Sequence, residues 1–224
     1  MTAVDAVVLS PVLSGESTMV LFDWNGTVVI DDERARASLN AALVRRGLAS
    51  VDRESFATVF RLPMAEMFTD LGVQAGELNA AEAEWNEAMA SEDAVLRDGA
   101  LDTLQVLHGA GVWLGVVSAA AAPAVDHDRL SLAVPEVWRL VESSVSDKVR
   151  VLAANRGERE RAVYVGDTAY DMRSAVAAGY LAVGVTGGYG SAEALLAAGA
   201  QHLIADLADL VPLVLGPVSH PASP

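Results

Sequence analysis

The nine residues Met19-Val-Leu-Phe-Asp23-Trp-Asn-Gly-Thr27 join an apolar run to an acid and a polar turn. Four consecutive apolar residues are typical of a buried strand, and a polar segment with a glycine is typical of the loop that ends it. The pattern therefore predicts a buried strand over 19–22, with Asp23 at its carboxyl end.

Short apolar runs alternate with helical patterns from residue 98 onward. We predict strands at 112–117, 137–141, 162–165, 181–185 and 202–205, and helices at 101–107, 119–130, 145–155, 170–178, 192–198 and 207–215. Because apolar strands that alternate with helices are typical of a parallel sheet covered on both faces, the sequence predicts an α/β fold with a Rossmann-like core.

The stretch between the first strand and residue 98 has a different character. It is rich in Ala, Glu, Leu and Arg at helical spacing, glycines and a proline divide it into short helices, and no strand is predicted there. We predict a small all-helical domain at 31–97, inserted after the first strand of a core made of 19–30 and 98–215. The segments 1–18 and 216–224 are predicted to be loose termini.

The charge balance is strongly acidic, with 30 Asp and Glu against 15 Lys and Arg and a net charge of −15. Such a surface repels phosphate backbones and anionic lipid, so neither nucleic acid nor membrane is an expected partner. The chain has no cysteine, which excludes disulfides and thiolate metal sites. No signal peptide or membrane span is recognised, and we expect a cytoplasmic protein.

Polar side chains follow the predicted strands, at the sheet edge where open α/β sheets bind ligands. They are Asp23, Asn25, Ser118, Asp167 and, one helical turn later, Asp171. Lys148, the sole lysine, begins a predicted helix between the same strands. Clustered carboxylates repel one another unless a cation neutralises them, and oxygen ligands favour a hard ion such as Mg²⁺. Ser118, Lys148 and the backbone N–H groups around Gly26 could bind a phosphate, beside which a carboxylate could act as nucleophile.

The order of these residues resembles the motifs of the haloacid dehalogenase-like (HAD) hydrolase superfamily. The motifs are Asp23-Trp-Asn-Gly-Thr27, then Ser118, then Lys148, then Gly166-Asp167-Thr-Ala-Tyr-Asp171. The segments 171–179 and 188–196 and the place of the helical insert resemble the phosphoglycolate phosphatase-like branch, in which the insert is a mobile cap. The resemblance covers about residues 19–212 and implies a magnesium-dependent phosphatase acting on a small phosphorylated metabolite.

The resemblance also implies residue roles. Asp23 would attack phosphorus, and Mg²⁺ would be bound by Asp23, the backbone carbonyl of Asn25 and Asp167, with support from Asp171. Ser118 and Lys148 would hold the phosphoryl group, and Lys148 would also restrain Asp23. Further substrate contacts are expected from Gly26, Thr27, Ala119 and, in the cap, Arg61.

One position departs from the family's pattern. Its phosphatases usually carry a second Asp two residues after the nucleophile, which protonates the leaving oxygen and later activates water, whereas this chain has Asn25. A carboxamide cannot transfer a proton near pH 7, and general acid–base catalysis typically contributes ~10²–10⁴ in rate.

Three interpretations of Asn25 stay open: a phosphatase that protonates its leaving group by other means, an impaired homologue that binds a phosphorylated metabolite or a protein, and an engineered trap. Because the other motif residues of the family are present in this chain, the sequence favours the phosphatase. A phosphomutase would need the missing acid twice. A dehalogenase of this superfamily would not use the metal site that Asp167 and Asp171 suggest.

Overall fold

In a computed structural model of the chain, residues 15–61, 63–91 and 93–216 are described. Six parallel strands form one sheet, in the order β5 (Trp138–Glu142), β4 (Trp113–Val117), β1 (Thr18–Phe22), β6 (Arg161–Gly166), β7 (Leu181–Val185) and β8 (His202–Ile204). The predicted α/β fold with a parallel sheet is confirmed.

The central strand β1 is apolar along its length because both faces of the sheet are covered. Val20 and Phe22 pack into a cluster with residues of α5 (Ala100–Gly109), α6 (Ala122–Ser131) and α10 (Leu210–Leu215). Met19 and Leu21 pack on the opposite face with residues of α7 (Lys148–Asn155), α8 (Ala169–Ala177) and α9 (Ala192–Ala197). A strand buried on both sides has no polar alternation, which is why a continuous apolar run marks it.

Four helices lie between β1 and residue 98: α1 (Asp32–Val44), α2 (Arg53–Val59), α3 (Met64–Asp70) and α4 (Leu78–Met89). They enclose an apolar cluster of their own, which includes Leu39, Phe68 and Trp85. The helical character expected of this stretch is present. Its division into a separate domain at 31–97 stays a prediction.

The structure contains one strand pair that the sequence pattern does not predict. β2 (Val29–Ile30) and β3 (Val95–Leu96) form an antiparallel ribbon where the chain enters and leaves the helical insert. A two-residue strand is too short to show a period, so the expectation of no strand within 31–97 is wrong for residues 95–96.

Further boundaries differ from the predicted ones, including the start of α7, which lies at Lys148 rather than at residue 145. Gly15–Ser17 forms a short 3₁₀ turn and β1 begins at Thr18, so residues 15–18 are not a loose leader; residues 1–14 and 217–224 lie outside the described residues. The helix after β4 begins at Ala122 rather than at residue 119, with Pro123 in its first turn, where its missing N–H costs no hydrogen bond. No helix in the described part of the chain is long and apolar enough to cross a bilayer.

A buried ion pair joins the helical insert to the core. Arg34 on α1 makes two hydrogen bonds to Asp128 on α6, with nitrogen–oxygen distances of 2.5 and 2.9 Å. The Trp24 indole N–H donates to the same carboxylate at 3.0 Å, and the Asp128 side chain has no exposed surface. One carboxylate therefore fixes the insert, α6 and the loop after β1 relative to one another.

Replacing Asp128 by Ala should be strongly destabilising, because it leaves the Arg34 guanidinium and the Trp24 indole buried without this partner. We expect a loss of about 3–5 kcal/mol in the free energy of unfolding, measured by urea denaturation. The control is Asp126→Ala, since Asp126 is exposed two residues earlier on the same helix and should cost less than about 1 kcal/mol. Equal losses for the two variants would contradict a bridging role for Asp128.

Candidate active site

The ends of three adjacent strands bring the predicted site residues together. Asp23 follows β1 and its backbone N–H donates to the Val165 carbonyl of β6 at 2.8 Å. Ser118 follows β4 and its N–H donates to the Glu142 carbonyl of β5 at 2.9 Å. Asp167 follows β6. Because the sheet ladder continues into these residues, their backbones have the rigidity of the strands.

Lys148 is buried between two carboxylates. Its Nζ lies 2.8 Å from Oδ2 of Asp23 and 2.6 Å from Oδ1 of Asp171, and the lysine side chain is 1% exposed. Burial by itself would lower the pKa of Lys148, but the charges of Asp171 and Asp23 outweigh it and raise that pKa above its usual value. Lys148 is therefore a fixed positive charge in contact with the candidate nucleophile.

Asp171 has donors on both carboxylate oxygens. Oδ1 accepts from Lys148 and lies 3.3 Å from the Tyr164 hydroxyl, whose single proton is closer to the Val117 carbonyl, at 2.8 Å. Oδ2 accepts from the Thr168 backbone N–H at 3.0 Å and from the Thr168 hydroxyl, while Thr168 in turn caps α8. A carboxylate with three protein donors has reduced capacity for direct coordination, so this geometry suits a supporting residue.

Asp167 is fully buried and accepts fewer hydrogen bonds than Asp171 does. Its Oδ1 accepts from the Thr27 hydroxyl at 3.0 Å, and its Oδ2 accepts from the Tyr189 backbone N–H at 2.7 Å. Burial raises the pKa of Asp167 well above its usual value, and repulsion from Asp171 and Asp23 adds to this effect. A bound cation would favour the ionised form of Asp167 and so oppose both burial and the repulsion from the other two carboxylates.

Asp23, Asp167 and Asp171 could hold a metal ion, because each offers a carboxylate oxygen within 4.8 Å of the other two. Lys148 is in direct contact with two of them, Asp23 and Asp171. The nearby Arg97 guanidinium instead donates to the backbone carbonyls of Gly26, Thr27 and Thr186. Buried oxygen donors with an excess of negative charge fit a small, hard divalent cation.

The Asn25 carboxamide has a defined orientation. Its Nδ2 donates to Oδ2 of Asp31, while its Oδ1 is buried and has no hydrogen-bond partner among the described residues. Asp31 also accepts from the Gly26 backbone N–H at 3.1 Å and from the Tyr189 hydroxyl at 3.0 Å. Burial raises the pKa of Asp31 to about 6, against the opposing effect of Arg34. The side chain at position 25 thus leaves an acceptor oxygen unused beside Asp23.

Comparison with known proteins agrees with this geometry. Residues 20–185 match the family model described as haloacid dehalogenase-like hydrolase. The chain belongs to this family. A search of curated proteins returns no match for this HAD-family chain.

Solved structures share the fold of this HAD-family protein. A predicted phosphatase from Clostridium acetobutylicum is 21% identical, with a TM-score of 0.79 over 89% of this chain and 98% of that one. A haloacid dehalogenase-like hydrolase from Bacteroides fragilis is 22% identical, with a TM-score of 0.76 over 87% and 99%. CbbY from Rhodobacter sphaeroides, in complex with phosphate, is 22% identical, with a TM-score of 0.70 over 87% and 96%.

Two residues predicted to contact the substrate of this HAD-family chain, Gly26 and Thr27, use their hydrogen-bond donors elsewhere. The Gly26 N–H donates to Asp31, and the Thr27 N–H and hydroxyl donate to Trp24 and Asp167, so neither residue has a donor left for a phosphate. Both residues instead hold site carboxylates in place. Ala119 does line the cavity above Asp23, as expected.

Arg61 is the other exception among the predicted site residues. It does not line the cavity, and its guanidinium pairs with Asp70 on the surface of the helical insert. Sequence alone could not indicate this partner, because Arg61 lies before α3 and Asp70 lies at the end of α3 in the helical insert. The predicted contact between Arg61 and a substrate anion is not supported by this geometry.

The sequence pattern does not indicate two residues of the site, Asp31 and Tyr189. Asp31 directly precedes α1, yet its side chain makes no cap hydrogen bond and contacts Asn25 and Tyr189. Tyr189 lies in the loop after β7, and its backbone N–H fixes Asp167. The glycines around it were the available signal, since Gly187-Gly188-Tyr-Gly190 is a segment in which the backbone approaches another group closely.

Gly188 tests how tightly this loop packs on Asp167. A Cβ at residue 188 would lie 2.3 Å from Oδ2 of Asp167, a side chain held by two hydrogen bonds. Gly188→Ala should therefore displace Asp167 and cost about 1–3 kcal/mol of unfolding free energy. It should also speed hydrogen exchange at the Tyr189 amide. The matched control is Gly157→Ala, whose Cβ meets nothing within 4 Å and should change stability by less than about 1 kcal/mol. Similar results for both variants would contradict the close packing.

Proposed function

We infer that this protein is a Mg²⁺-dependent phosphatase that hydrolyses a small phosphomonoester through an aspartyl-phosphate on Asp23. The observation that carries the proposal is the contact of Lys148 with Asp23 and Asp171 inside a cluster of three buried carboxylates. Membership of the haloacid dehalogenase-like hydrolases supports it, as does the phosphate bound by the structurally similar CbbY.

Asp23 is suited to act as the nucleophile. Burial raises the pKa of Asp23, while Lys148 acts in the opposite direction and favours the ionised form. In the first step a carboxylate oxygen of Asp23 forms a bond to phosphorus as the bond from phosphorus to the leaving oxygen breaks. In the second step water attacks phosphorus, the acyl-phosphate bond breaks, and phosphate leaves with the Asp23 carboxylate restored.

The phosphoryl group would be held from the side of β4 and α7. The Ser118 hydroxyl, which hydrogen-bonds Asp23 in this structure and would turn to the phosphate, lies with Ala119 at the floor of the cavity, and the Lys148 ammonium contributes fixed positive charge next to Asp23. Mg²⁺, held by Asp23, Asp167 and the backbone carbonyl of Asn25 with Asp171 in support, would supply further positive charge to the transferring group. Such preorganised charge is commonly the largest contribution to catalysis.

Asn25 sets the limit on the rate. Its Oδ1 can accept a hydrogen bond from a water or a hydroxyl and so orient it, but the carboxamide cannot give or take the proton. The leaving oxygen must take a proton from water or leave unprotonated, and the attacking water must lose its proton without a carboxylate at position 25. We propose that both steps proceed on positioning and charge stabilisation alone.

The basic proposal is tested with purified protein and a panel of phosphomonoesters, with Mg²⁺ and with EDTA. We expect turnover only with Mg²⁺, and its loss to background in Asp23→Asn. Binding of Mg²⁺ should also raise the stability of the wild-type protein by about 2.7 kcal/mol at a hundredfold excess over Kd. The control Asp102→Asn changes an exposed acid on α5 and should keep activity. Full activity in Asp23→Asn would overturn the proposed nucleophile.

Asn25→Asp tests the missing proton transfer. We expect the variant to raise turnover by up to ~10²–10⁴, because it restores general acid–base catalysis. In the wild-type protein the slow second step should show as a burst of nitrophenol from para-nitrophenyl phosphate, close to one equivalent per enzyme, with phosphate retained on the Asp23 peptide.

The control is Asn79→Asp, which adds the same charge at an exposed site on α4 and should leave the rate unchanged. No gain in Asn25→Asp would contradict the proposed rate limit. The second candidate function is a homologue that binds phosphoesters without hydrolysing them. The lack of a proton-transfer group at position 25 supports it. A wild-type protein without turnover, together with a large gain in Asn25→Asp, would favour this candidate.

A further inference from the structure

A cavity of about 380 Å³ lies between the helical insert and the strand ends. Its floor includes Asp23, Ser118 and Ala119, and its roof includes Phe60, Met64 and Trp85. A leaving group attached to a phosphate at Asp23 would occupy this space. The residues that line it therefore select the substrate.

The cavity wall provides no positive charge for an anionic leaving group. The chain has fourteen arginines and one lysine, all at described positions, and none of the arginines lines the cavity. Lys148 is already in contact with Asp23 and Asp171. A carboxylate or a second phosphate on the substrate would thus lose its hydration without gaining a partner, which is costly in a partly closed site.

The wall instead provides a negative charge. Glu82 and Asn86 lie one turn apart on α4, on either side of Trp85, and all three line the cavity. Neither polar side chain has a hydrogen bond or ion pair with any residue that the structure describes, and Glu82 is only partly exposed. A carboxylate in this position repels anions and would favour an ammonium group or another hydrogen-bond donor.

Part of the remaining wall is aromatic and held in place, and the rest consists of small apolar and hydroxyl side chains. Phe60 stacks on Tyr189 at a centroid distance of 4.3 Å, and Phe56 contacts both rings. The Tyr189 hydroxyl donates to Asp31, which fixes that ring from the core side. Rigid aromatic surfaces favour an apolar or aromatic ligand, which loses contact with water on binding.

We propose that this cavity selects phosphomonoesters whose leaving group has an apolar or aromatic body, carries no negative charge and presents a hydrogen-bond donor or ammonium group to Glu82. The proposal rests on the proposed function, since it names the substrate class of the same site. It also agrees with Asn25: a phenol, with a pKa near that of tyrosine at about 10, leaves more readily without protonation than an aliphatic alcohol does.

Three aryl phosphates of similar size test the proposal: O-phosphotyramine, para-ethylphenyl phosphate and the phosphate ester of para-hydroxyphenylpropionate. They share the phosphorylated ring and differ in ending with an ammonium, a methyl or a carboxylate. We expect kcat/KM to fall in that order, with a difference of at least about tenfold between the first and the last. Equal values, or a preference for the carboxylate, would overturn the proposal.

Variants of α4 locate the selectivity. Glu82→Gln should remove most of the preference for O-phosphotyramine, and Glu82→Lys should reverse the order of the ammonium and carboxylate esters. The matched control Glu87→Gln changes an exposed glutamate on the same helix and should leave the order intact. An unchanged order in both Glu82 variants, folded as judged by circular dichroism, would overturn the role of Glu82.

Absence of turnover on all three esters would count against the proposed function and not against this inference. The cavity would then be tested by calorimetric dissociation constants of the same esters with the wild-type protein and Mg²⁺. The same order of affinities would support the proposed selectivity, and a reversed or flat order would overturn it.

Discussion

The candidate site depends on one buried ammonium group held between two carboxylates. Lys148 is the first residue of α7, where the helix dipole disfavours a cation, and its side chain is buried, which disfavours charge altogether. Only Asp23 and Asp171, at 2.8 and 2.6 Å, make this position tolerable. The dependence is mutual, because the two acids and Asp167 would repel one another more strongly without the lysine. Removing any one member leaves the charges of the others less balanced.

A second buried network couples the helical insert to the loop after β1. Asp31, just before α1, binds the Asn25 side chain, the Gly26 N–H and the Tyr189 hydroxyl. Three residues on, Arg34 pairs with Asp128, which also holds the Trp24 indole. The loop after β1 is therefore held from the insert by polar contacts of defined geometry. A movement of α1 relative to the core would act directly on the position of Asn25.

The fold could be predicted from sequence because its signals are local. A strand buried on both faces shows as an apolar run, and a polar residue directly after such a run lies at the sheet edge that binds ligands. This reasoning found Asp23, Ser118 and Asp167. It also placed Asp171 one helical turn later and Lys148 at the start of the helix between the same strands, while the roles of both residues came from the resemblance to the HAD family.

The parts that the sequence did not reveal depend on contacts between distant side chains. Asp31 and Tyr189 meet across 158 positions, and the acceptor for Arg61 lies on a neighbouring helix. The ribbon of β2 and β3 has two residues in each strand, too few for any period. Gly26 and Thr27 were placed correctly in the loop, but their donors are used by Asp31 and Asp167, which no local pattern indicates.

The chemistry of position 25 follows from what surrounds it. Asp31 is the nearest carboxyl that could replace a missing acid, but it is 3% exposed and already accepts from Asn25, Gly26 and Tyr189 while facing Arg34. A proton on Asp31 could reach a leaving oxygen only after the Asn25 side chain moved aside. In the proposed phosphatase reaction the proton would therefore come from solvent or from the substrate, unless the leaving group needs none. A cavity with an aromatic wall and no arginine in its lining admits the type of leaving group for which that requirement is weakest.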